Sequence, residues 1–87
     1  MASQVLKFRL EGTGPMSLAM PEGASILSIQ EQHGRITLWA KCPPGDSVEH
    51  RHFFIAGTGW DLPDGVLIFL ETVQIEGLVW HIFEDLS

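Results

Sequence analysis

The stretch "SILSIQEQHGRITLWAKC", Ser25–Cys42, decides the fold. His33-Gly34 at its centre suits a two-residue hairpin turn in which both residues take positive φ. With that turn the opposed pairs are Gln32–Arg35, Glu31–Ile36, Gln30–Thr37, Ile29–Leu38, Ser28–Trp39 and Leu27–Ala40. Opposed residues share a face of the ribbon. Leu27, Ile29, Ile36, Leu38 and Ala40 then collect on one side, with Glu31 near the tip. Ser28, Gln30, Thr37, Trp39 and Lys41 collect on the other. A slip of one residue would mix the two sets, so the pattern itself selects the register. It also poses a question, because Trp39, the largest apolar side chain of the stretch, stands on the polar side.

Outward from this hairpin the chain reads as more strands. Val5–Leu10 alternates, with Leu6, Phe8 and Leu10 opposite Lys7 and Arg9, the signature of a half-buried strand. Glu11–Pro15 is a loop, Met16–Met20 a short strand and Pro21-Glu22-Gly23 a turn. Pro43–Ser47 is too rigid and donor-poor to continue a central strand. Glu49–Gly57 is the next strand, followed by the loop Gly57–Gly65. Val66–Ile75 and Leu78–Glu84 close the chain as a second hairpin around Glu76-Gly77. Turn signals from nine Gly and five Pro punctuate the chain, and no apolar 3.6-residue period is sustained. The expected architecture is one all-β domain over residues 1–87: a small antiparallel sandwich or partly open barrel of six to seven strands, with room for one short helix.

A chain of 87 residues that is 45% hydrophobic holds more apolar side chains than so small a core needs. Pairing the second hairpin through Glu76-Gly77 makes both its faces apolar. One face carries Phe69, Val73, Ile75, Leu78, Trp80 and Ile82, with Glu71 and Glu84; the other carries Ile68, Leu70, Val79 and Phe83, with Thr72, Gln74 and His81. A sheet covered on both sides has this composition. The expectation is a homo-oligomer that buries Phe69, Val73, Trp80 and Ile82 between subunits.

Five Lys and Arg against eleven Asp and Glu give a net charge of −6. Lys7, Arg9, Arg35, Lys41 and Arg51 are spread along the chain, so direct binding of duplex nucleic acid is not expected. Cys42 is the single cysteine, which excludes an intramolecular disulfide and a cysteine-rich metal motif. No secretory leader pattern and no apolar run approaching ~18–20 residues is present, which points to the cytoplasm and away from membranes.

No nucleophile elbow, phosphate loop or zinc-hydrolase helix motif occurs, so neither an enzyme nor a cofactor is expected. His50 and His52 lie on one side of a strand and could supply two zinc ligands, but structural zinc takes four; a solvated strand start accounts for them more simply. His81 reads either as a partly buried histidine satisfied by a neighbouring hydroxyl or as a ligand contact. The loop Gly57-Thr58-Gly59-Trp60 reads either as an ordinary turn or as an anion-binding nest of backbone N–H groups flanked by a stacking indole. Trp39 and Trp60, in polar settings, have the character of binding hot spots. The candidate contact set is therefore Trp39, Gly57, Thr58, Gly59, Trp60 and His81, with Arg35 and Lys41 as nearby cations.

Several of these elements occur together in a recognisable order. Pro21-Glu22-Gly23-Ala24, Leu38-Trp39-Ala40, Gly57-Thr58-Gly59 and Val79-Trp80-His81-Ile82-Phe83-Glu84 resemble the pattern of a family of small phage and prophage proteins of unknown function. Many members follow Gly-Thr-Gly with His-Pro, where this chain has Trp60-Asp61, so no role of that histidine transfers. The resemblance implies a phage origin, a compact β fold and a setting in the host bacterial cytoplasm, and no activity. Small phage proteins of this kind suggest an accessory that antagonises a host process. Three functions follow: an anti-defence inhibitor binding a host protein complex, as anti-CRISPR proteins do; an oligomeric sponge for a small nucleotide signal; or a virion assembly accessory.

Overall fold

The structure, a computed structural model, describes residues 2–87. Seven strands follow one another: β1 (Gln4–Leu10), β2 (Gly14–Pro21), β3 (Ser25–Gln32), β4 (Arg35–Cys42), β5 (Val48–Gly57), β6 (Leu67–Ile75) and β7 (Leu78–Asp85). All pairings are antiparallel, and they form two sheets ordered β1-β4-β3 and β2-β5-β7-β6. The sheets do not close into a barrel, and no helix occurs among the described residues, so none there could cross a membrane. The sandwich is flat, with extents of 44 × 30 × 16 Å.

The two hairpin turns form as the sequence predicts. His33 and Gly34 have φ of 54° and 78°, and Glu76 and Gly77 have φ of 50° and 83°, the positive pair that matches strand twist. Glu31 secures the first turn by accepting the Gly34 N–H on its carboxylate. β2 begins earlier than expected, at Gly14, and carries Pro15; it is an edge strand, where a missing N–H is tolerated.

Each hairpin departs from its predicted register at one place. From Gln32↔Arg35 to Ser28↔Trp39 the β3–β4 pairs are those expected, but Ala40 then pairs with Ile26, not Leu27. Leu27 is the extra residue of a β-bulge and is 56% exposed, so it does not join the inward aliphatic set; Ile26 takes its place. In β6 a second bulge lies between Phe69 and Glu71, and Phe69 pairs with Phe83 where Glu84 was expected. Phe69 therefore moves to the outer face, 54% exposed, and Leu70 packs against the core. A period-2 pattern cannot reveal an inserted residue, because each half of the strand remains self-consistent.

The core lies between the sheets. Ile29, Ile36, Leu38 and Ala40 from one sheet meet Met20, Phe53, Ile55, Val73 and Ile82 from the other. Phe53, Met20, Leu38, Ile55 and Ile82 are all below 2% exposed, and each such side chain contributes roughly 1.5–3 kcal/mol through burial. Cys42 is buried in the same cluster. This corrects the expected subunit interface. Val73 and Ile82 are covered by the facing sheet of their own chain and have no surface to offer a second subunit. Trp80 is partly buried against the same core, and only Phe69 stands outside.

Candidate functional site

β4 is the middle strand of its sheet, so its outward residues sit between two neighbours. Trp39 lies between Lys7 of β1 and Ser28 of β3; Thr37 lies between Arg9 and Gln30; Lys41 lies between Val5 and Ser25. Arg35, paired with Gln32, continues the same face towards the turn. Four of the five Lys and Arg residues thus share one sheet face with Trp39. Rows on such a face recur about every 6.8 Å along the strands, so Lys41, Trp39, Thr37 and Arg35 form a regular ladder.

Carboxylates avoid this face. Glu31 is the single acidic residue in β1, β3 and β4, and its register places it on the opposite side, opposite Ile36. Glu11, just beyond β1, meets Arg35 at 3.3 Å, with both side chains more than half exposed. An exposed pair of that kind is worth little and leaves Arg35 available. Lys7 Nζ donates to Gln32 Oε1 at 3.1 Å, and Gln30 Nε2 donates to Ser28 Oγ at 2.9 Å. Thr37 is 1% exposed beneath these longer side chains, and its hydroxyl donates to the Arg35 carbonyl. Trp39 is half-buried, and its cross-strand partners are Lys7 and Ser28 rather than another aromatic residue.

The fifth cation has a different task. Arg51 faces inward from β5 and grips Glu84 of β7 through Nε and a second guanidinium nitrogen, at 2.7 and 2.9 Å. It also donates to the Ala24 carbonyl at 2.6 Å, tying the β2–β3 connection to the sheet. The bond to Glu84 holds the guanidinium pKa above its usual value, against the opposing effect of burial. His50 and His52, the neighbours of Arg51, point to the outer side of the β2-β5-β7-β6 sheet.

The other candidate residues assemble elsewhere. Gly57–Trp60 is a turn closed by the Trp60 N–H donating to the Gly57 carbonyl at 3.0 Å. Trp60 packs edge-on against Trp80, with ring centroids 5.5 Å apart and planes at 89°. The indole also lies over Gly57, where a Cβ would stand 2.7 Å from Trp60 Nε1; that approach is what the glycine permits. His81 is clamped between two hydroxyls, Thr58 Oγ1 at 2.8 Å from Nε2 and Thr72 Oγ1 at 3.0 Å from Nδ1. A hydroxyl can donate or accept, so each satisfies the ring nitrogen it faces. Both nitrogens are thereby occupied by the protein itself.

The sequence-predicted set therefore divides. Trp39, Arg35 and Lys41 lie on the outer face of one sheet, while Gly57, Thr58, Gly59, Trp60 and His81 belong to the other sheet. Of the whole set only Arg35 lines an open cleft of about 320 Å³, together with Glu11, Thr13, Ile36, Ile75 and Trp80, the ring that Trp60 packs against. Lys7 and Arg9 were absent from the predicted set, although their alternation with Leu6 and Phe8 already placed them on an outer face. The pairing of β1 with β4, which is a tertiary fact, delivers them to Trp39.

A family model described as "Domain of unknown function (DUF7352)" matches residues 1–87. The chain belongs to this family. No curated protein and no solved structure matches it.

Proposed function

We propose that this member of the family is a non-catalytic accessory protein that acts by stoichiometric binding, and that the outer face of β1-β4-β3 takes a single strand of nucleic acid within a host nucleoprotein complex. The observation that carries this reading is the segregation of charge. In a chain of net charge −6, four of five cations share one face with Trp39, and the one carboxylate of β1, β3 and β4, Glu31, is turned to the opposite side. A basic surface tracks a phosphate backbone, and an aromatic ring stacks on a base of any sequence. Ser28 stands beside the ring, and Gln30 and Gln32 continue the hydrogen-bonding groups along the same face towards the turn.

The shape selects among anionic partners. Small ligands favour concave sites that bury most of their surface, whereas this face is an open sheet suited to an extended strand. The resemblance to phage proteins supports an anti-defence setting, an inhibitor of the anti-CRISPR type that occupies a strand the host complex needs. A second reading has one observation in its favour: Arg35 stands at the mouth of the cleft that reaches Trp80. A nucleotide signal could place its phosphate on Arg35 there, as in a sponge.

Fluorescence anisotropy with short labelled single-stranded DNA and RNA, at several salt concentrations, tests the main reading. Binding should weaken with salt at a log–log slope of about −2 to −3, given ~0.7 per phosphate contact and up to four cations. The charge-reversed pair Lys7→Glu/Arg9→Glu should abolish it. No binding at low salt, or binding that survives this double change, overturns the reading. Thermal stabilisation by mononucleotides or cyclic nucleotides alone would favour the cleft.

A further inference from the structure

The opposite side of the molecule is composed quite differently. The register of the four-stranded sheet places Pro15 against Phe54, Phe54 against Phe83, and Phe83 against Phe69, one unbroken row across all four strands. Phe69 and Phe83 meet edge-on at 5.7 Å, and Phe69 remains 54% exposed. The rows on either side are Ser17–His52–Asp85–Leu67 and Ala56–His81–Thr72. No Lys or Arg stands in any of these rows, and Asp85 is their one carboxylate.

We infer that a second copy of this chain covers this face, with the Pro15–Phe54–Phe83–Phe69 row at the centre of a twofold dimer. A twofold axis sets each patch against itself, so a charged patch repels its own image while a neutral apolar one does not. That condition excludes the β1-β4-β3 face, whose four cations would meet four more. It is met by the phenylalanine row. Size agrees as well. Four strands ~4.8 Å apart and about eight residues long give a platform on the order of 500 Å² in projection, and side-chain relief raises its accessible area towards the ~800 Å² per partner of a standard interface. The surplus of apolar residues in so short a chain then has a destination. Phe69 belongs to this interface because the β6 bulge turns it outward, while Val73 and Ile82 stay in the core. The two Trp39 faces of such a dimer point away from each other, each free to act. The dimer does not depend on what those faces bind.

Sedimentation equilibrium of the full chain at tens of micromolar should return twice the 9.7 kDa chain mass. Phe69→Lys should raise the dimer dissociation constant about 30-fold or more, as expected for a central aromatic contact. Ser17→Lys, at an exposed position that removes no packing within the chain, should weaken the dimer in the same direction. A monomeric wild-type chain overturns the inference and leaves the face to another partner; so do Phe69→Lys and Ser17→Lys chains that dimerise as tightly as wild type.

Discussion

Lys7 stands directly opposite Trp39 across the β1–β4 ladder, on the outer side of the sheet. This pairing places a cation from the beginning of the chain beside an indole from its middle. It turns two strand residues distant in sequence into neighbours on the outer face of the sheet. Trp39 is on the polar side of its strand because that side is the outer surface of the sheet.

Replacing Trp39 by Ala should therefore separate binding from folding. Stability should fall by about 1 kcal/mol, the scale of a cross-strand pair on a sheet face. Affinity for single strands should fall about 5- to 150-fold, the loss of ~1–3 kcal/mol of stacking. Urea denaturation and anisotropy on the same preparation make the comparison. A Trp39→Ala chain that fails to fold would mean that the ring is structural.

The Arg51–Glu84 pair calls for the opposite result. With side chains only 17% and 12% exposed, each partner depends on the other for its charge to be tolerated. Glu84→Leu should destabilise the chain by about 3 kcal/mol or more, because the guanidinium is left buried without its carboxylate. The double change Arg51→Met/Glu84→Leu should recover most of that loss. Denaturant midpoints of the single and double variants check both statements.

Gly57→Ala isolates the contact between Gly57 and Trp60. The new methyl would need the space of the indole, so Trp60 should swing away from Trp80. Circular dichroism should show the exciton signal of the paired indoles diminish, with stability lowered by about 1–2 kcal/mol as for other overpacked sites. Retention of the wild-type signal would show that the ring has another way to accommodate the methyl.

Asp85 provides a pH-dependent prediction. The Ser87 hydroxyl, and after it the Ser87 N–H at 2.9 Å, hold the Asp85 carboxyl below the usual range. Because the folded value is the lower one, this contribution is complete above the ordinary Asp range and disappears as pH falls through the depressed value. Ser87→Ala should raise the Asp85 midpoint, as followed by NMR of the side-chain carboxyl. It should also free the Val66 N–H that Ser87 Oγ accepts at 2.9 Å.

Local chemistry made much of the fold legible. His33-Gly34 and Glu76-Gly77 announced their turns through the positive φ they tolerate, and the pairs nearest each turn followed directly. Beyond Ser28 and Glu71 the reading failed, because a bulge inserts one residue without disturbing the alternation on either side. Leu27 and Phe69 were consequently assigned to the wrong face. The candidate site was legible only in part: Trp39, Arg35 and Lys41 were visible from one hairpin, whereas Lys7 and Arg9 required a partner strand more than twenty residues away.

By itself, then, the sequence determined what depends on neighbours along the chain: an all-β domain, its turns, and Trp39 on the outward side of β4. Tertiary structure decided what depends on neighbours in space. It brought β1 beside β4 and so gathered dispersed cations around one tryptophan, and it turned Phe69 outward into a row with Phe83 and Phe54. The physical reason is that alternation encodes which side of a strand a residue occupies. It does not encode which strand lies next to it, nor where one extra residue has been absorbed.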